Sequence, residues 1–162
     1  MPDQFQFRVE GHWTAARRGL IEAESAGRPM EFSAPPEFRG EAGFWSPEHF
    51  LMAAVASCFI TTFHAIAEIS RFDFESLDIS AEGVVEKGQE GYAFTHIVLR
   101  PHLTIRKEAD RQRAARLLEK TERSCLVSRS LKSEVRMEPM IEIAGAEAGP
   151  PEVGLVGSLE IT

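Results

Sequence analysis

The chain contains two cysteines, Cys58 and Cys125, and together they could carry redox chemistry. A thiolate can attack the O–O bond of a peroxide to give a sulfenic acid, and a second thiol can then condense with that acid to form a disulfide. The attacking thiol needs a nearby cation to stay ionised, and the same cation stabilises charge on the leaving oxygen. Such chemistry therefore requires two cysteines, a positioned arginine and often an acid that holds the arginine.

Each cysteine taken alone also has a simpler interpretation. Cys58 lies in an apolar segment, where a free cysteine commonly serves as a small core residue. Cys125 stands at the start of a short predicted helix, whose dipole would favour a thiolate, but it could equally be an unused surface thiol. The sequence has no Cys-x-x-Cys pair, no HExxH pattern and no glycine-rich nucleotide motif, so it predicts neither a metal site nor a cofactor.

Length and composition limit the other possible functions. The 162 residues suit one domain, and 43% hydrophobic residues are enough for a core. The formal net charge of -7 argues against a nucleic-acid partner. No run of eighteen apolar residues predicts a membrane span, and the N-terminus lacks a secretory signal, so we expect a cytoplasmic protein without a membrane partner.

The segment that carries Cys58 has the strongest secondary-structure signal. Ser46 can cap a helix, Pro47 suits its first position, and Glu48 suits the positive end of its dipole. The residues that follow are apolar almost all round, which predicts a buried helix over about 46–70. One sheet from a chain of this size offers little cover for such a helix, so we expect a dimer.

The remaining segments alternate in ways typical of strands, or carry polar and apolar faces typical of helices. The predicted elements are strands at 5–13, 20–24 and 29–32, a hairpin of strands at 77–85 and 92–105, helices at 107–123 and 125–132, and a last strand at 135–143. This order predicts an α+β fold in a domain of residues 1–144. Residues 145–162 form a Gly/Pro-rich tail that is expected to contain at most a short strand.

The two cysteine segments resemble motifs of the OsmC/Ohr family, the osmotically inducible and organic hydroperoxide resistance proteins. In that family's central helix a Pro-Glu pair opens the helix, and the reactive cysteine follows ten residues after the Glu. Glu48 and Cys58 have this separation. Cys125 is similar to the family's second cysteine, although Leu126 stands where a proline is usual. The first strand, ending near Arg18 and Gly19, resembles the family's opening, where an active-site arginine is found.

The resemblance implies an intertwined homodimer in which antiparallel sheets wrap around buried central helices. It also implies a peroxidase that reduces organic hydroperoxides, and hydrogen peroxide as a further substrate, with a dithiol or lipoyl reductant. Cys58 would attack, and Cys125 would resolve the sulfenic acid as a Cys58–Cys125 disulfide. Arg18, or else Arg17 or Arg39, would activate Cys58, and Glu48 would anchor that arginine.

The spacing within the predicted helix constrains how Glu48 could act on Cys58. Ten residues of straight helix span roughly 15 Å, so the two side chains of one chain do not meet. Either the helix breaks between them, or Glu48 acts through an arginine, or Glu48 serves the partner chain. Two other functions stay open, a redox-sensing or ligand-binding module of the same fold and a structural dimer with inert cysteines.

Overall fold

A computed structural model describes residues 3–146 of the chain. It contains seven strands and three α-helices, with single 3-10 turns at Pro36–Phe38 and Glu108–Asp110. The elements are β1 (Glu10–Ala15), β2 (Arg18–Glu22), β3 (Met30–Ser33), α1 (Pro47–Ile69), β4 (Ser76–Gly88), β5 (Gly91–Ile105), α2 (Arg111–Ser124), α3 (Leu126–Arg129), β6 (Glu134–Met137) and β7 (Met140–Ile143). The strands and helices are segregated along the chain, and the predicted α+β class is confirmed.

The helix α1 begins where the sequence predicts it and is continuous to Ile69. Ser46 is its N-cap: the Ser46 hydroxyl accepts from the His49 N–H at 3.3 Å, and the Ser46 N–H donates to His49 Nδ1 at 3.1 Å. This reciprocal pair satisfies donors that a helix start leaves free, and Pro47 occupies the first helical position. No break separates Glu48 from Cys58, which excludes the first of the three possible arrangements.

The larger sheet is built on the hairpin of β4 and β5, which is predicted correctly. The two strands pair antiparallel from Ser76 and Thr104 to the turn between Gly88 and Gly91. Both β6 and β7 then pair with β5 in parallel. The expectation of purely antiparallel sheets is therefore wrong for this sheet, because the chain returns to β5 through the helices α2 and α3 and not through a tight turn.

The core lies between α1, α2 and the inner face of β5. The buried residues of α1 recur every three or four positions, which places them on one side of the helix. On β5 every second residue faces inward, as a strand with one covered face requires. Fully buried members of this core are Val55, Phe59, Phe63, Ile97, Leu99, Leu103, Ile105, Ala114 and Leu118.

The smaller sheet, in the order β1-β2-β3, is attached at the start of α1. The Ser33 N–H donates to the Trp45 carbonyl at 2.9 Å, just before the helix cap. Every residue of β1 is exposed. The predicted first strand at 5–13 is wrong in its first half, because β1 begins at Glu10 and the side chains of Phe5 and Phe7 lie in solvent with no partner strand in the described chain.

The last predicted strand, 135–143, is divided into β6 and β7. Pro139 stands between them and has no N–H to donate to the ladder of hydrogen bonds, so strand pairing is interrupted there. The Glu138 N–H still donates to the Leu99 carbonyl at 2.8 Å, which keeps both strands on β5. The predicted tail lies, from residue 147 onward, outside the described residues.

The outer face of α1 is poorly covered within one chain. Over its most apolar 18-residue window the helix has a mean hydropathy of 1.9 but only 22% of that window is buried. By length and composition alone such a helix could cross a membrane, although the sequence has no unbroken run of eighteen apolar residues. Core helices of soluble proteins pass the same test, and a second protein surface would cover this face equally well.

Candidate active site

The fold brings the two cysteines together, although they lie in different elements. Cys58 is half-buried on α1, and Cys125 is fully buried at the joint between α2 and α3, both of which pack against α1. The Cys125 N–H donates to the Thr121 carbonyl at 2.9 Å, which fixes the end of α2. Cys125 itself is extended (φ -63°, ψ 113°), so the chain turns there and directs α3 towards α1.

Cys58 has the surroundings of a reactive thiol. Burial raises the pKa of Cys58, but hydrogen bonds from the Val127 N–H, the Cys125 thiol, the Thr62 hydroxyl and the Leu126 N–H oppose it and hold the pKa below its ordinary value. Thr62 Oγ1 lies 3.8 Å from Cys58 Sγ. These donors are neutral groups, and each stabilises the thiolate more than the thiol.

Cys125 has the opposite character. Burial raises the pKa of Cys125, the hydroxyl and N–H of Ser128 partly oppose this, and the adjacent Cys58 adds to it, so the thiol stays protonated. The expectation that the helix start would make Cys125 a thiolate is wrong. The first N–H groups of α3 act on Cys58, while the Cys125 side chain is enclosed in the core.

Arg18 begins β2 and faces acidic and aromatic neighbours. Its guanidinium lies 3.8 Å from Glu31 and 3.6 Å from Glu41, and its carbon Cζ lies 4.4 Å from the centre of the Phe44 ring. None of the groups that shift the Cys58 pKa within residues 3–146 is an arginine. Arg17 donates a hydrogen bond to the Phe38 carbonyl. The role assigned to Arg18 therefore stays a prediction.

Glu48 lies in the first turn of α1, at the edge of a cleft of about 500 Å³. Its Oε2 atom is buried and has no hydrogen-bond donor within the described part of the chain. A buried carboxylate oxygen without a donor is costly, so this atom is suited to receive one from a ligand or another chain. The other residues lining the cleft are Pro35, Pro36, Glu37, Phe38, Ser46, His49, Val85 and Tyr92.

Three donors to Cys58 were not predicted from the sequence. Thr62 could have been found, since a residue four positions after a helical cysteine lies on the same face. The N–H groups of Leu126 and Val127 could not, because they depend on how α3 packs against α1. The result is an asymmetric pair, with one thiol prepared to attack and one kept as a thiol beside it.

Sequence comparison gives a family match and two informative relatives. The model of the family described as OsmC-like protein matches residues 40–139, which include both cysteines. The chain is 27% identical to the Bacillus subtilis protein YmaD over 144 residues, covering 86% of this chain and 96% of YmaD. It is also 27% identical to peroxiredoxin OsmC of Escherichia coli over 135 residues, covering 80% of this chain and 92% of that protein.

Solved structures support the same fold. An OsmC-like protein of Vibrio cholerae superposes with a TM-score of 0.76 at 22% identity, covering 85% of this chain and all of the other. An organic hydroperoxide resistance protein of Legionella pneumophila gives a TM-score of 0.71 at 20% identity, with coverage of 88% and 100%. At these identities the likeness describes the arrangement of helices and sheets within one chain, and the OsmC-like α+β fold expected from the sequence is confirmed for that chain.

Proposed function

Because the chain belongs to the OsmC-like protein family, we propose that it is a thiol-dependent peroxidase that reduces organic hydroperoxides. The observation that carries the proposal is the asymmetry of the cysteine pair. The pKa of Cys58 is lowered and that of its neighbour Cys125 is raised, which suits one thiol to attack and the other to resolve. Peroxiredoxin OsmC of Escherichia coli, by its name, carries out related chemistry.

The first step is nucleophilic attack by the Cys58 thiolate on one oxygen of the hydroperoxide. The O–O bond breaks, the sulfur is oxidised by two electrons to a sulfenic acid, and the alkoxide leaves and takes up a proton to become an alcohol. In the second step the sulfur of Cys125 attacks the sulfenic sulfur, a disulfide forms and water leaves. A dithiol then reduces the disulfide to two thiols and is itself oxidised to a disulfide.

The protonation of Cys125 depends on the charge of Cys58, and this dependence favours the order of the two steps. While Cys58 is a thiolate, its negative charge helps to keep Cys125 protonated. Oxidation of Cys58 to a neutral sulfenic acid removes that charge, so Cys125 loses its proton more readily once there is an intermediate to resolve. Cys125 is therefore kept protonated before the first step and ionises more easily after it.

We propose that the active site is completed by a second copy of the chain. The uncovered face of α1 and the buried oxygen of Glu48, which has no donor among the described residues, support this arrangement. Glu48 would then accept from an arginine, with Arg18 as the candidate, close to Cys58 of the partner subunit. Under the same proposal the protein works in the cytoplasm and is recycled by a dithiol or lipoyl group.

The lining of the cleft beside Glu48 supports an organic substrate. Phe38 and Tyr92 meet edge to face, with ring centres 5.3 Å apart, and prolines and Val85 complete an apolar wall. Apolar walls contact the organic group of a hydroperoxide, whereas hydrogen peroxide gains nothing from them. Bulky organic hydroperoxides are therefore the proposed substrates.

A second candidate function is a redox sensor of the same fold. In such a sensor the oxidation of Cys58 changes which partner the protein binds, and the protein does not turn over peroxide repeatedly. The ion pairs of Arg18 with Glu31 and Glu41 favour it, because within the described chain the guanidinium is paired with these carboxylates and not with Cys58. A sensor would react once per protein molecule. An enzyme would consume many equivalents of peroxide.

The deciding experiment is consumption of cumene hydroperoxide by the purified, fully reduced protein with excess dithiothreitol or dihydrolipoamide. Wild type should turn over many equivalents, and Cys58→Ser should consume no more than the protein-free control. A folded wild type that consumes one equivalent and stops would replace the enzyme with the sensor. Turnover that persists in Cys58→Ser would contradict both.

A further inference from the structure

The hydroxyl groups along α1 make two different kinds of contact. The Ser57 hydroxyl donates to the Ala53 carbonyl at 2.7 Å, and the Thr61 hydroxyl donates to the carbonyls of Ser57 and Cys58, each at 3.1 Å. This return to the preceding turn is the usual behaviour of helical Ser and Thr. Within residues 3–146 the hydroxyl of Thr62 is paired differently, with Cys58 Sγ at 3.8 Å.

The position of Thr62 explains that contact. It lies four residues after Cys58, so the two side chains share one face of α1, the face against which α3 packs. A separation of 3.8 Å is a hydrogen-bond distance for the large sulfur atom. Thr61 is exposed and its hydroxyl donates to backbone carbonyls, whereas the adjacent Thr62 is half-buried and its hydroxyl contacts the sulfur.

The direction of this hydrogen bond follows from the state of the sulfur. Between a hydroxyl and a thiol either atom could donate. A thiolate has no proton, so in the reactive state the Thr62 O–H is the donor and the sulfur accepts. A donor to the ionised form favours that form, which makes Thr62 a part of the machinery that keeps Cys58 ionised.

We propose that Thr62 is a positioning residue of the cysteine site, whose hydroxyl donates to Cys58 Sγ and holds it as the thiolate directed at peroxide and Cys125. The catalytic part of this inference rests on the proposed peroxidase function, whereas the effect on the sulfur does not. Thr62 acts together with the N–H groups of Val127 and Leu126, which approach the same sulfur from α3. The sulfur thus receives donors from two elements of its own chain.

The test compares Thr62→Val, which removes the hydroxyl and keeps the branched shape, with Thr62→Ser, which keeps the hydroxyl. Thr61→Val is the matched control on the adjacent exposed position. Each full-length protein is alkylated with iodoacetamide from pH 5 to 10, and peptide mass spectrometry measures the rate at Cys58 separately from that at Cys125. Peroxide-dependent turnover is measured on the same samples.

We expect the midpoint of Cys58 alkylation to rise by about one pH unit in Thr62→Val, the size of one hydrogen bond to a charged group. At a pH well below the midpoint, turnover should fall roughly threefold. The thiolate population falls about tenfold, but a thiolate of higher pKa is a stronger nucleophile, which partly offsets the loss. Thr62→Ser should restore both values, and Thr61→Val should leave both unchanged.

Two results would overturn the inference, an unchanged midpoint in Thr62→Val and an equal shift in Thr61→Val. If Thr62→Val fails to fold, as judged by its thermal melt, Thr62→Ala is read in the same way. An inactive wild type with a Cys58 midpoint that still depends on the Thr62 hydroxyl would refute the peroxidase and support the role of Thr62.

Discussion

Cys58 and Cys125 are adjacent thiols whose protonation is biased in opposite directions. Hydrogen-bond donors from α1 and α3 outweigh the effect of burial on Cys58, whereas burial dominates at Cys125. The lower pKa belongs to the thiol that is partly exposed, and the higher pKa to the one that is enclosed. Peroxide therefore meets the ionised sulfur first.

This bias predicts the order in which the cysteines are alkylated. Cys58 should ionise and react at a lower pH than an ordinary cysteine, and Cys125 should do so at a higher pH. In the folded protein near pH 7.5 we expect iodoacetamide to modify Cys58 at least about tenfold faster than Cys125. The two rates should become equal in 6 M guanidinium, and equal rates in the folded protein would contradict the assignment.

The resolving role of Cys125 is tested by Cys125→Ser. The variant should still reduce one equivalent of hydroperoxide per subunit, since Cys58 retains its N–H donors. Without a second thiol the sulfenic acid should persist and oxidise further to sulfinic acid, which appears as added oxygen at Cys58 by mass spectrometry. If the variant sustains wild-type cycling with a dithiol, Cys125 is not the resolving cysteine.

The role of Arg18 is a prediction about charge. If the guanidinium faces Cys58 of a partner subunit, Arg18→Ala should slow the first step on the order of 100-fold and move the pH–rate profile upward. Stopped-flow kinetics with cumene hydroperoxide measures both effects. Arg17→Ala is the neighbouring control, and an unchanged profile in Arg18→Ala would transfer the role to Arg17 or Arg39.

At the scale of elements, the short helix α3 supplies backbone N–H groups that lower the pKa of Cys58. Its first residue, Leu126, contributes a backbone N–H to the Cys58 site, and its side chain is 71% exposed. A proline at this position, as in the motif that the sequence resembles, would lack that donor. The departure from the motif therefore adds a hydrogen bond to the thiolate.

The variant Leu126→Pro isolates this donor. Cys125 already has the extended backbone that a residue before proline adopts, and proline is well tolerated at the first position of a helix, so the fold should be kept. We expect the alkylation midpoint of Cys58 to rise by roughly half a unit, one weak hydrogen bond. Leu126→Ala keeps the N–H and is the control, and identical midpoints in the two variants would exclude a role for this donor.

At the scale of the whole molecule, one chain leaves much apolar surface uncovered. Exposed large residues include Phe7 at 94%, Ile69 at 83% and Trp13 at 77%. They lie before β1, on β1 and at the end of α1. Large contiguous apolar patches on a protein surface mark sites that contact another protein or a membrane. A second copy packed on the outer face of α1 and on the smaller sheet would cover it.

Mixing two inactive variants tests whether such a dimer shares its active sites. If Glu48 serves Cys58 of the partner subunit, a heterodimer of Cys58→Ser and Glu48→Gln contains one intact site and should recover activity. If both residues act within one chain, this heterodimer has no intact site and should stay inactive. Light scattering should give twice the chain mass of 18.0 kDa, and a monomer with full activity would contradict the shared site.

The sequence by itself determined the elements whose signals are local. The cap at Ser46 and the proline at 47 fix the start of α1 because they act within its first turn, and the apolar run that follows predicts a buried helix. Alternation of residues and a glycine-rich turn fix the hairpin of β4 and β5 in the same way. The motifs around Glu48, Cys58 and Cys125 identified the family, since they are patterns of sequence.

The tertiary structure decided what depends on residues distant in the chain. Strands β6 and β7 run parallel to β5 because of the path through α2 and α3, which no local pattern records. Residues 5–9 alternate like a strand, but a strand forms only where a partner edge is present. The pKa values of the two cysteines follow from burial and from the approach of α3 to α1, so only the folded chain distinguishes the attacking thiol from its neighbour.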